Sequence, residues 1–130
     1  MPPKLIFGTA TFGMDGSSFA DAASVRQLLT KLQALNISHL DTAARYPPLN
    51  PGRSEELIGG AIDMGKELGF EVDTKLYTDT KTDGGGDLER ERMERSVEES
   101  LRRLGRRGVS LVDASFCPTG AGPTNRMMWN

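Results

Sequence analysis

LDTAARY, residues 40–46, decides how this chain is read. It starts at the end of a short apolar run, residues 37–40, and places an acid, Asp41, five residues before a tyrosine, Tyr46. Behind it, Val25, Leu28, Leu29, Leu32 and Leu35 recur at helical spacing, with Arg26, Lys31 and Gln33 on the opposite face. Ahead of it, Pro47, Pro48, Pro51 and Gly52 mark a loop. Ser54 then stands where a hydroxyl can cap a second helix, and Glu55 and Glu56 suit the positive end of that helix's dipole. A buried strand set between two helices is the unit from which parallel α/β sheets are built. The carboxylate and the phenol have two readings: a solvated loop pair, or a device that lets tyrosine give up its proton near neutral pH.

The same unit repeats in both directions. Residues 4–8, with Leu5, Ile6 and Phe7, read as a first strand followed by the loop TATFGMDGSS. The second helix has the stripe Leu57, Ile58, Ala61, Ile62 and Leu68; residues 70–76 form a third strand with Lys75 near its end. Gly84, Gly85 and Gly86 lack the lysine and spacing of a phosphate-binding loop and read as a flexible connection. A third helix carries Leu88, Met93, Val97, Leu101 and Leu104, with Glu98 and Arg102, and Glu99 and Arg103, at i,i+4 spacing. Gly105 suits the position past its end, and residues 109–112 begin a fourth strand. Beyond it, DASFCPTGAGPTNRMMWN shows no helical or strand period and reads as an irregular tail.

Composition narrows the classes. A chain of 130 residues with 37% hydrophobic and 26% charged residues has room for one ordinary core. No apolar run approaches the roughly 20 residues of a membrane span, and the start lacks the layout of a secretory signal, so no membrane and a cytoplasmic setting are expected. A formal charge of −2 speaks against nucleic acid as a partner. Arg102, Arg103, Arg106 and Arg107 read as cations at a helix end rather than a nucleic-acid patch. Cys117 is the single cysteine, which excludes an internal disulfide and a cysteine-only metal site; no metal is expected.

In parallel α/β folds, ligand chemistry gathers where strands end. Asp41, Tyr46 and Lys75 all fall on that rim. A phenol with an ordinary pKa of about 10 needs a neighbouring cation to exchange protons near neutrality. Lys75 suits that cation, and Asp41 suits the partner that holds the lysine in place.

The segments LIFGTATFG, HLDTAARY, SEELIGGAI, VDTKLY and SVEESLRRLG, followed by Val109 and Leu111, resemble the aldo-keto reductase family over roughly residues 4–111. The resemblance implies α/β architecture as a partial (β/α)8 TIM barrel, about the first four strands and three helices. Residues 1–111 would be that barrel portion and 112–130 a divergent tail. It also implies reduction of an aldehyde or ketone substrate with NADPH. By the same resemblance Asp41, Tyr46 and Lys75 match three of four catalytic positions, with Tyr46 as proton donor, and Gly8 and Thr9 match the cofactor-facing loop after strand one. The family's fourth position is a histidine at the end of strand four, where this sequence has Ser115; its single histidine, His39, is expected to be a packed or locally hydrogen-bonded strand residue.

A complete barrel takes roughly 250 residues. The later units carry, in the family, the residue that stacks on the nicotinamide and the segment that grips the 2′-phosphate. The expectation is therefore a truncated or frame-altered chain, inactive by itself and binding NADPH weakly or not at all. The alternative is a non-catalytic interaction fragment. A partial barrel is also expected to expose two sheet edges and an apolar inner face, and so to self-associate or pair with a full-length relative.

Overall fold

The structure, a computed structural model, describes residues 2–63, 69–79, 87–105, 111–113 and 126–127. Leu68, the three glycines 84–86, Arg106, Arg107, Val109, Ser115 and Cys117 lie outside the described residues. The chain runs β1 (Phe7–Gly8), α1 (Ala22–Ala34), β2 (His39–Asp41), α2 (Arg53–Asp63), β3 (Glu71–Lys75), α3 (Arg90–Leu104), β4 (Leu111–Asp113) and β5 (Arg126–Met127). The sheet order is β1-β2-β3-β4-β5, with the first four strands parallel and β5 antiparallel to β4. Four parallel strands with intervening helices are the expected part of a (β/α)8 barrel. The tail expected to be irregular departs from that reading at β5, where Arg126 and Met127 pair with Asp113 and Val112.

Register divides the sheet into two chemically different faces. Leu40 lies beside Phe7 and Val72, and Thr74 lies beside Val112, so these residues share the helix side. Leu40, Val72, Thr74 and Val112 are buried there, and the first two and Val112 join Val25, Leu29, Ile58 and Leu104 in one core. The alternate positions on β2 and β3 are His39, Asp41, Glu71, Asp73 and Lys75. The expected apolar inner face is thus corrected: on these strands it is ionisable, because charge occupies every second position. At the start of β3, Lys4 donates to Glu71, and this hydrogen bond is the largest influence holding the Glu71 carboxyl below its ordinary pKa.

The helices begin and end for local reasons. Asp21 caps α1 by accepting from the Ser24 backbone N–H at 2.7 Å, with Ser24 reaching back to complete a capping box. Val25, Leu29 and Leu32 are its buried face; Leu35, expected in that stripe, is the cap residue past the last turn and is exposed. Asn36 at φ 58° turns the chain away. Gly105 caps α3 in the left-handed conformation, φ 62°, as expected. Leu88 precedes α3 and is exposed, whereas Ser96, Ser100 and Leu104, four residues apart, form its buried row. Ser96 Oγ accepts from the Tyr77 backbone N–H at 2.8 Å, so this row meets the segment that follows β3.

Helices α2 and α3 meet backbone to backbone at Gly59. A Cβ placed on Gly59 would overlap the Arg103 carbonyl oxygen and lie 3.0 Å from the Leu104 carbonyl carbon. Ser54 is the second residue of α2 rather than its cap, and both Ser54 and Glu55 have no exposed surface. Glu55, in the first turn of α2 as expected, accepts from Arg103 Nε at 2.7 Å and from the Thr74 hydroxyl at 2.6 Å.

Gly59→Ala tests the backbone contact. Alanine adds about 1 kcal/mol of helix propensity, but the overlap forces α2 and α3 apart, and overpacking costs about 1–3 kcal/mol. The expected net result is a lower urea midpoint. A variant at least as stable as the parent would show that the helices do not meet there.

Candidate active site

Asp41 and Lys75 are the last residues of adjacent strands, and both stand on the ionisable face. Lys75 Nζ donates to Asp41 Oδ1 at 2.7 Å, to Oδ2 at 2.6 Å and to the Thr42 carbonyl at 2.9 Å. These acceptors match the donor capacity of an ammonium group. The pair is partly screened from water, with side-chain exposures of 26% for Lys75 and 38% for Asp41.

The spacing from Asp41 to Tyr46 follows from the hydrogen bonds after β2. Thr42 N–H donates to the Asp73 carbonyl at 2.9 Å and Ala44 N–H to the Lys75 carbonyl at 3.1 Å, so the chain stays against β3. A turn closes when Tyr46 N–H donates to the Ala43 carbonyl at 3.0 Å, and Ser54 N–H then holds the Tyr46 carbonyl at 3.0 Å. The result places the Tyr46 ring 5.0 Å from Lys75 Nζ, measured to the ring centroid. The structure therefore brings together all three residues expected to act as a set.

The two residues expected at the cofactor side differ. Gly8 is exposed, and a Cβ added there would meet nothing within 4 Å, so a bound group has room to approach the backbone. Thr9 is fully buried, and its hydroxyl donates inward to the Asp41 carbonyl at 3.0 Å. A cleft of about 320 Å³ is lined by Gly13, Met14 and Asp15 from one loop and by residues 47–50, which follow Tyr46 in the sequence, from the next.

His39 stands two residues before Asp41 on the same face, roughly 7 Å back along the strand. It is buried, with Nε2 2.9 Å from Asp73 Oδ2 and Nδ1 3.3 Å from Glu71 Oε2, though neither contact has hydrogen-bond geometry. Ser115, expected at the fourth family position, lies outside the described residues. Among the described residues no cluster of histidine, cysteine or carboxylates could hold a metal, and no helix is long and apolar enough to cross a membrane.

Sequence reasoning missed a buried hydroxyl cluster under the site. Ser54 Oγ lies 3.0 Å from the Thr9 carbonyl, 3.1 Å from Thr9 Oγ1 and 3.2 Å from Thr42 Oγ1. The available signal was the threonine directly after each of the first two strands, in Gly8-Thr9 and Asp41-Thr42.

No curated protein matches the chain. Among solved structures, a Pseudomonas aeruginosa protein assigned to the aldo-keto reductases is 30% identical, with a TM-score of 0.65, over 84% of this chain and 40% of that one. A glycerol dehydrogenase from Gluconobacter oxydans is 28% identical, with a TM-score of 0.63, over 84% of this chain and 34% of that one. A Bombyx mori aldo-keto reductase in complex with NADP shares the fold at 24% identity and a TM-score of 0.57, over 85% of this chain and 33% of that one. The chain thus spans between a third and two fifths of the length of these structures. The sequence pattern of the Aldo/keto reductase family matches residues 4–115, and the chain belongs to that family.

Proposed function

We propose that this chain carries the proton-donating side of an NADPH-linked carbonyl reduction site and that the 130-residue chain alone does not turn over. The observation that carries the reading is Lys75, bonded to both oxygens of Asp41 while lying over the Tyr46 ring. NADPH, when bound, supplies a hydride to the carbonyl carbon. Tyr46 donates its hydroxyl proton to the carbonyl oxygen, giving the alcohol, and is reprotonated from water. Attraction to the Lys75 cation lowers the cost of leaving negative charge on the phenol oxygen. Asp41 holds the ammonium in place, and the cleft whose walls include Pro47, next in sequence to Tyr46, is the candidate place for the substrate.

The cofactor side is less complete. Gly8 gives access, but the Thr9 hydroxyl is committed to Asp41 and Ser54. These features support weak or absent NADPH binding. The boundary of the barrel portion near residue 111, the divergent tail and the cytoplasmic setting belong to the same proposal.

A second reading, an interaction fragment, draws support from β1. Among the described strands it has one neighbour, β2, and Leu5 and Ile6 beside it are 61% and 49% exposed. Light scattering on the purified chain separates the readings: a stable dimer at micromolar concentration favours association, and a monodisperse monomer removes it.

With the isolated chain, calorimetric titration should reveal no saturable low-micromolar NADPH binding. NADPH oxidation with 4-nitrobenzaldehyde should match the protein-free rate. Tight binding or turnover abolished by Tyr46→Phe would overturn the claim of inactivity.

The catalytic assignment is tested in a hybrid barrel in which residues 4–111 replace the matching segment of the Gluconobacter glycerol dehydrogenase. Tyr46→Phe should lower kcat in an active hybrid by about 10²–10⁴-fold, the usual worth of a general acid. Lys75→Met should lower kcat more than it changes KM. An active hybrid indifferent to both changes would refute the assignment.

A further inference from the structure

We propose that Ser54 and Glu55 are a positioning pair that sets Asp41 and Lys75 from the opposite side of the sheet. The inference deepens the proposed site and rests on the assignment of those two residues to it. Its basis is strand alternation. A residue next to one on the ionisable face must point toward the helices. Thr42, following Asp41, and Thr74, preceding Lys75, are both buried on the helix side. Each meets one member of an adjacent pair on the first turn of α2.

The hydroxyls form a directed chain. Thr9 Oγ1 donates to the Asp41 carbonyl, and Ser54 Oγ donates toward Thr9. Thr42 Oγ1 can then donate to Ser54 Oγ, so every hydroxyl proton has an acceptor. Thr42 in turn offers its carbonyl to Lys75. On the other side, Glu55 accepts from Thr74 with one oxygen and from Arg103 with the other. Helix α2 therefore holds the residue beside Asp41 through Ser54 and the residue beside Lys75 through Glu55, and their separation follows from one helical step.

Differential lysine acetylation tests this without turnover. The purified chain is treated with limiting acetic anhydride, and peptide mass spectrometry reads Lys75 labelling against exposed Lys31. Ser54→Ala and Glu55→Gln should each raise the Lys75-to-Lys31 ratio about fivefold, the factor given by the net worth of one hydrogen bond. Val25→Ala removes core volume on α1 and serves as the control; at matched stability it should leave the ratio at the parent value. An unchanged ratio in Ser54→Ala, or an equal rise in Val25→Ala, overturns the proposal. If Glu55→Gln fails to fold, Thr74→Val takes its place, since it removes the hydroxyl that meets Glu55, and it carries the same two outcomes. The ratio reads the Lys75 tether alone, while Tyr46→Phe in the hybrid barrel reads the function, so either can fail without the other.

Discussion

The buried charge of Glu55 constrains everything around it. A carboxylate with no exposed surface is costly unless opposite charge and hydrogen bonds surround it. Arg103 and Thr74 supply both, at 2.7 and 2.6 Å, and removing one partner of such a pair typically costs about 3–5 kcal/mol. Arg103 is itself only 15% exposed and also approaches Ser100 and Glu99. Consequently α2 cannot shift along α3 or lift from β3 without stranding a charge. Gly59 permits the close backbone contact that this pairing demands.

Once α2 is fixed, its first turn becomes a reference for the strand ends. Ser54 meets Thr9 and Thr42, while its backbone N–H holds the Tyr46 carbonyl. The Tyr46 loop is thereby pinned from α2 on one side and from the Lys75 carbonyl, through Ala44, on the other. Stability and site geometry depend on the same few buried polar contacts. Hydrogen bonds of this kind contribute modestly when made and cost more when one partner is left behind, so their effect is mainly to fix arrangement.

The sequence made the strand ends legible but not the contacts beneath them. Asp41 and Lys75 could be placed on one rim because apolar runs, loop residues and helical stripes alternate clearly enough to count strands. The burial of Ser54 and Glu55 was not legible, because a serine and an acid at a helix start satisfy the rules for an exposed terminus equally well. Residue type does not record burial; only the arrival of Thr74 and Arg103, 19 and 48 residues away along the chain, does. The same limit hid Ser96 and Ser100 behind a stripe of larger apolar residues on α3. By contrast, the ionisable face was written in EVDTK, residues 71–75, where charge falls at every second position.

That alternation changes the physics of an incomplete barrel. Apolar surface left in water would contribute roughly 25 cal/mol per Å² toward any association that covered it. A face of His39, Asp41, Glu71, Asp73 and Lys75 behaves otherwise, since covering ionised groups costs free energy unless the incoming surface supplies their partners. Asp41, Glu71 and Asp73 form an acidic majority on this face, so a favourable cover must bring donors or cations. A second copy brings the same acidic residues. The β1 edge is different, because among the described strands β1 has one neighbour, and its open side with the exposed Leu5 and Ile6 offers hydrogen bonds and apolar area without buried like charge. Like charge therefore opposes the approach of an identical chain across the face that holds the candidate site, and the β1 edge carries no such penalty.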